Sequence, residues 1–195
     1  MLIYTDIMIF KLLLSLGIEF GPIIAFLILS ELTSFITAAA IFVVLTFIAL
    51  VVGYIERKEI AWFPLIVGLS VIISGSLTVV FNNPIFLILK DTFYNGAFAL
   101  ILFVGLLYNK SLLKPLFKGL FSMTDNGWRI LTVRWTIVFV LLTITNEFAR
   151  IFLSTDAWVD YKSMATVSTA IFSLYQFKLS KKERLPESSP WGMRI

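Results

Sequence analysis

Six long apolar runs constrain this chain more than any other feature: residues 8–29, 34–54, 61–81, 85–108, 130–153 and 163–179. A helix crossing a ~30 Å hydrocarbon layer needs about 20 mostly apolar residues. Each run reaches or approaches that length. The runs are continuous, which favours helices over the ~10-residue alternating strands of a membrane barrel. Charge avoids them: only 8 of the 28 Asp, Glu, Lys and Arg fall inside. The 195 residues are 59% apolar and 14% charged. Soluble domains carry about 25% charged residues, so an ordinary water-soluble globule is excluded, and a disordered chain more firmly. The predicted fold is an all-α integral membrane protein. One polytopic transmembrane domain covers 1–180, and 181–195 forms a basic cytoplasmic tail. The domain is a bundle of about six transmembrane helices plus a short interfacial helix.

The breaks between runs are short. Ser30-Glu31-Leu32-Thr33 is a polar turn, Glu56-Arg57-Lys58-Glu59 a charged one, and Asn82-Asn83-Pro84 a turn signal. Asn tolerates turn geometry and Pro cannot continue a helix. Such links predict that the first four helices are antiparallel neighbours. The first run is the weakest, because Lys11 and Glu19 lie inside it and Gly21-Pro22 interrupts it. A cleaved signal peptide is one reading. Residues 1–7 carry no Lys or Arg, and Asp6 is acidic, which favours a retained helix kinked at Pro22. A re-entrant or interfacial element there would reduce the bundle to five spans.

Basic residues set the orientation. With the N-terminus inside, the inner segments 1–7, 55–60, 109–129 and 180–195 hold ten Lys and Arg, and the outer segments 30–33, 82–84 and 154–162 hold Lys162 alone. Both termini are therefore predicted in the cytoplasm. Tyr54, Trp62, Tyr108, Trp128 and Trp135 fall near inner ends, and Trp158 and Tyr161 at the outer face. That is the level amphipathic aromatic residues favour.

Several residues stand out against this background. Lys110, Lys114 and Lys118 recur every four residues in a segment rich in Leu and Phe. A short helix there, limited by Pro115, would lie in the headgroup plane with its lysines near anionic lipid. Asn146, Glu147 and Arg150 lie in the outer third of the fifth run, and the i,i+3 spacing of Glu147 and Arg150 allows them to pair. Ionisable groups in a membrane are costly and raise a functional question by default. A structural ion pair, a polar contact within the bundle and a transport path are all compatible with this spacing. Glu19 could face a partner helix. Ser70, Ser74, Gly75 and Ser76 give the third run a small face suited to close packing, and Thr78 can bond back to a carbonyl. Lys90, Asp91 and Arg134, near run ends, are expected at the interface.

The chain contains no Cys and no His. Thiolate nucleophiles, disulfides, imidazole bases and the usual zinc sites are thereby excluded. It has no phosphate-binding loop, dinucleotide turn or nucleophile elbow. The expectation is a non-enzyme without cofactor or metal. A net charge of +4 in so apolar a chain points to membrane lipids as partner, and not to nucleic acid.

A set of short motifs then gives a more specific reading. They are Glu19-Phe20-Gly21-Pro22-Ile23-Ile24-Ala25-Phe26, Thr37-Ala38-Ala39, Glu56-Arg57-Lys58-Glu59 and Ser74-Gly75-Ser76-Leu77-Thr78-Val79-Val80-Phe81. Lys114-Pro115-Leu116, Trp128, Trp135 and Asn146-Glu147 follow, and then Ser154-Thr155-Asp156-Ala157-Trp158-Val159-Asp160-Tyr161-Lys162. In order and spacing the chain resembles the intracellular septation protein A family of bacterial inner-membrane proteins over about residues 18–180. It departs at Asp160 and Tyr161, where Asn and Phe are usual. The resemblance implies a role in cell division and envelope integrity, through contacts with other inner-membrane division or envelope-synthesis proteins. The residue reading and the resemblance together give Glu19, Pro22, Gly75, Thr78, Asn146, Glu147, Arg150, Trp158 and Lys162 as candidate functional or packing positions. The alternative is a small transporter or flippase-like carrier of a lipid-linked or small solute.

Overall fold

Ser34 shows how this chain starts a helix in lipid. Its hydroxyl accepts the Thr37 N–H at 3.2 Å, using a side chain to satisfy one of the amides that a helix start leaves free. The computed structural model describes residue 17, residues 20–60, 62–118 and 121–190, and residue 192. Lys11, Glu19 and the side chain of Trp62 lie outside the described residues. Among the described residues seven helices follow in order: α1 Phe20–Leu32, α2 Phe35–Arg57, α3 Trp62–Val80, α4 Ile85–Leu107, α5 Leu113–Phe117, α6 Asp125–Phe152 and α7 Thr155–Lys182. Among the described residues the only extended pairing is one antiparallel bridge, Met123 with Arg184. Three helical segments of the described residues are long and apolar enough to cross a bilayer: Phe35–Glu56, Ile85–Leu107 and Asp125–Phe152. Phe20–Leu32 and Pro64–Val80 are shorter apolar helices.

Helix ends use local chemistry. Lys58, Asn82 and Asn109 all take left-handed φ values near 50°. Behind Asn82, the Asn83 N–H reaches back to the Thr78 carbonyl at 3.0 Å, and behind Asn109 the Lys110 N–H reaches the Gly105 carbonyl at 2.8 Å. Both are six-residue closures that satisfy carbonyls left over at a helix end. The polar turn expected at 30–33 is mostly helix instead. The Ser30 and Thr33 hydroxyls donate back to the Leu27 and Leu29 carbonyls, at 2.9 and 2.7 Å, so these polar groups need no break in the helix. Of residues 154–162, expected as an outer loop, 155–162 are also helical. Ser154 accepts the Ala157 N–H at 3.2 Å and Asp156 lies in the first turn of α7. A serine cap followed by an acid is a helix-start signal.

The chain divides into two compact units. Unit 1 comprises residues 1–90 and 153–159, and unit 2 comprises 91–152 and 160–195. In unit 1, the buried Phe26 ring packs on Phe35 and Phe42, with centroids 5.6 and 5.1 Å apart. Trp158 meets Phe35 edge-on at 6.0 Å. α2 and α3 approach closely. A Cβ built on Gly75 would lie 2.4 Å from Val43 Cγ2, so only glycine allows this approach. The Ser70 and Ser74 hydroxyls satisfy themselves on carbonyls one turn back, at 2.6 Å each.

In unit 2 the core is Leu102, Leu113, Met123, Trp128, Leu131 and Leu179. Large apolar side chains cover its outside. On α6 they are Ile137, Leu141, Ile144, Phe148 and Ile151, and on α7 Met164, Val167, Ile171 and Leu174. Both series follow the helical repeat of an apolar stripe facing its solvent, here lipid. Tyr54 and Tyr108 are exposed, whereas Trp128 and Trp158 are 2% and 1% exposed. These two of the four tryptophans expected in an interfacial belt are packing residues. Depth in the membrane does not decide which way a ring faces.

The segment expected as a tail folds back within unit 2. The Thr124 N–H donates to the Glu183 carbonyl at 2.8 Å, Leu185 N–H to Ser122 at 3.1 Å and Ser122 N–H to Gly192 at 2.8 Å. The Thr124 hydroxyl donates to Glu183 Oε2 at 2.6 Å. Glu183 is thereby held below the ordinary carboxylate range, an effect that outweighs the opposing cost of desolvation.

Candidate functional site

The polar residues of unit 2 gather on three helices. α4 supplies Asp91 and Thr92 near its start, α6 supplies Asn146, Glu147 and Arg150 near its end, and α7 supplies Lys162. Asn146 is 1% exposed, and its Nδ2 donates to Thr92 Oγ1 at 2.9 Å. The Thr92 hydroxyl passes its own proton on to Glu147 Oε2 at 3.2 Å. The other Glu147 oxygen accepts Arg150 Nε at 2.9 Å and also Arg150 Nη2. An amide, a hydroxyl, a carboxylate and a guanidinium thus form one chain across two helices, with every hydrogen bond pointing toward the carboxylate. Thr92 has one proton to give and a lone pair to receive, so it links Asn146 to Glu147 without a frustrated bond.

One residue away, Lys162 Nζ binds Asp91 Oδ2. Asp91 is 4% exposed. The sequence puts Asp91 at the interface. The structure adds its partner: it is buried against the only basic residue in the predicted outer segments. The Tyr161 hydroxyl, one position before Lys162, shares a hydrogen bond with Thr145 Oγ1 at 2.9 Å. These contacts cross-link α6 to α7 and α4 to both. An unpaired charge at membrane depth costs several kcal/mol, and pairing removes most of that cost.

The remaining candidates have other places. Gly75 is the close-contact point of α3. Thr78 is fully buried in unit 1. Its Oγ1 accepts the Leu87 N–H at 3.0 Å, so the hydroxyl caps the next helix, a role beyond the back-bond expected of it. Asn83 Oδ1 accepts Ile85 N–H at 3.0 Å at the same helix start. Trp158 packs on Phe35. Pro22 lies within α1. Lys110, Lys114 and Lys118 are all exposed. Lys114 pairs with Asp125 at 2.5 Å. The predicted interfacial helix is the 5-residue α5.

Reasoning from sequence missed Asp91 and Thr92. Their partners lie 71 and 55 residues away, and no local spacing connects them. The usable signal was a lone acid inside a 23-residue apolar helix, which needs a cation. A polar stripe along α7 was also available: Lys162, Thr166, Thr169, Ser173, Gln176 and Ser180 recur at helical spacing. Thr166, Thr169 and Ser173 donate to carbonyls one turn back. Among the described residues, no buried side-chain nitrogen or oxygen lacks a hydrogen-bond partner. As chemistry, the site is a closed set of paired donors and acceptors.

Long apolar helices, lipid-facing stripes and internally paired charges define a helical membrane protein. The family model described as Intracellular septation protein A matches residues 14–186, and the chain belongs to that family. It is similar to curated relatives named inner membrane-spanning protein YciB. The protein from a Bradyrhizobium species, strain BTAi1, is 34% identical, with 87% of this chain and 86% of the relative covered. The Sinorhizobium fredii protein is 36% identical over 87% and 88%, and the Rhizobium meliloti protein 35% over 91% and 92%. No solved structure matches.

Proposed function

We propose that this protein is a non-catalytic inner-membrane scaffold that supports cell division and envelope integrity by holding other membrane proteins against its helices. Six helices cross the bilayer, with both termini on the cytoplasmic side. One observation carries the scaffold reading. Four ionisable groups at membrane depth in α4, α6 and the start of α7 are consumed by one another, Asp91 with Lys162 and Glu147 with Arg150. Groups spent in this way brace helices and are not waiting for a solute. The names of the family and of the relatives support the compartment and the link to septation.

The test is crosslinking in native membranes followed by co-purification. Recovery of division or envelope-synthesis membrane proteins is expected, and their recovery should fall when Asp91→Asn removes the brace. Recovery of lipid alone would contradict the scaffold. A second reading rests on the α7 polar stripe, which could line a path for a small or lipid-linked solute. Proteoliposomes separate the two. The scaffold predicts no flux in wild type. Flux that Glu147→Gln abolishes, with insertion unchanged, would establish a carrier.

A further inference from the structure

We propose that unit 2 carries a binding site for the phosphate headgroup of an anionic phospholipid, built from Arg134, Tyr175 and Lys178. The Tyr175 ring has two cations over it: the Arg134 guanidinium carbon lies 5.8 Å from its centroid and Lys178 Nζ 5.1 Å. Cation–π attraction holds each cation in place but cancels neither charge. Gln176 fixes the geometry further. Its Oε1 accepts Arg134 Nη1 at 3.1 Å, and its Nε2 donates to the Phe172 carbonyl at 2.9 Å. The guanidinium is thus aimed by a buried amide, and its other N–H groups stay available in a planar fork suited to phosphate.

The charge balance here is unlike that at Arg150 and Lys162. Arg150 and Lys162 each have a carboxylate. Among the described residues, Arg134 and Lys178 have none. Among the described residues no carboxylate pairs with these two positive charges on one ring, so an anion from outside would neutralise them.

Depth identifies that anion. α6 has 28 residues and is about 42 Å long, well over the ~30 Å hydrocarbon thickness. Counting about 20 residues back from Phe152 reaches Val133. Arg134 therefore stands where acyl chains give way to headgroups, and tyrosine is a residue that favours this level. Ile137 and Leu141 on α6 and Ile171 and Leu174 on α7 are exposed and run from this level toward the bilayer centre. Acyl chains lie along them while the phosphate meets the two cations.

The test uses the full chain in phosphatidylcholine nanodiscs containing a small fraction of phosphatidylglycerol. Retained phosphatidylglycerol is counted by native mass spectrometry, and affinity is read by titration. Arg134→Gln and Lys178→Gln are each expected to weaken retention roughly five-fold, one surface cation's contribution. Tyr175→Leu weakens it too, whereas Tyr175→Phe, which keeps the ring, does not. Lys110→Gln with Lys118→Gln stays within about two-fold of wild type, and excess inorganic phosphate displaces nothing. Thermal unfolding in pure phosphatidylcholine confirms that each variant is folded. If Arg134→Gln fails to insert, the exposed Lys178 carries the test. Wild-type retention by the Arg134→Gln/Lys178→Gln double variant would overturn the site. Equal loss in the Lys110/Lys118 variant would reduce it to diffuse surface charge, and displacement by phosphate would remove the lipid.

Discussion

Gly75 lets α3 reach Val43 of α2 by having no side chain, whereas Asp91 and Lys162 join α4 to α7 by the charges their side chains carry. Both devices answer one difficulty. Lipid tails are as apolar as leucine, so burying apolar surface between helices gains little inside a bilayer. Unit 1 gains instead from close approach and ring packing, where many small dispersion contacts add up. Unit 2 gains from hydrogen bonds and ion pairs, which are specific because a misplaced charge in lipid is expensive. The difference teaches where each unit should be fragile. Unit 1 should fail on added volume and unit 2 on unbalanced charge.

The largest effect is expected at Lys162. Lys162→Met removes the cation that Asp91 binds and should cost about 3–5 kcal/mol of unfolding free energy in mixed micelles, as loss of one partner of a buried pair does. Next is Gly75→Leu, which should cost about 1–3 kcal/mol through overpacking. Gly96→Ala is its control. A Cβ there would meet Thr143 Cγ2 at an ordinary 3.6 Å, so no comparable loss is expected. If both glycines behave alike, the volume argument for unit 1 is wrong. Thr92→Val breaks the link between Asn146 and Glu147 and should cost roughly 0.6–1.7 kcal/mol, the range of hydrogen bonds between membrane helices.

Acid should act on the folded-back end of unit 2. Thr124 hydrogen-bonds Glu183 and lowers its folded pKa below the ordinary 4.5. A lowered folded pKa gives stability that is present above the unfolded value and lost as pH falls through the folded one. The protection of the Ser122, Thr124 and Leu185 amides, measured against the intrinsic exchange rate at each pH, should therefore fall below about pH 4.5, and Glu183→Gln should flatten that dependence. The smallest effect belongs to Lys114→Gln. Its pair with Asp125 is exposed and is worth about 1 kcal/mol or less.

What the sequence revealed follows from the range of each interaction. The membrane class was legible because lipid acts on every residue of a run, so the apolar stretches declare themselves. Glu147 and Arg150 were legible because one helix turn fixes their distance. Asp91 with Lys162 was not, since tertiary packing alone brings them together. The early start of α7 was written in Ser154-Thr155-Asp156, and charge counting, which treats those residues as loop, hid it. Trp128 and Trp158 misled because ring type reports depth and not facing. The return of residues 183–192 onto 122–124 rests on backbone hydrogen bonds, and no side-chain pattern announces those.

A double-mutant cycle on Asp91 and Lys162 is the most direct trial of the idea that paired charges brace these helices. Asp91→Asn, Lys162→Met and both together would be unfolded reversibly in bicelles. The account predicts that the double variant is more stable than Lys162→Met alone, with a coupling of a few kcal/mol. Additive losses would mean that the two side chains do not act as a pair, and the brace would be refuted.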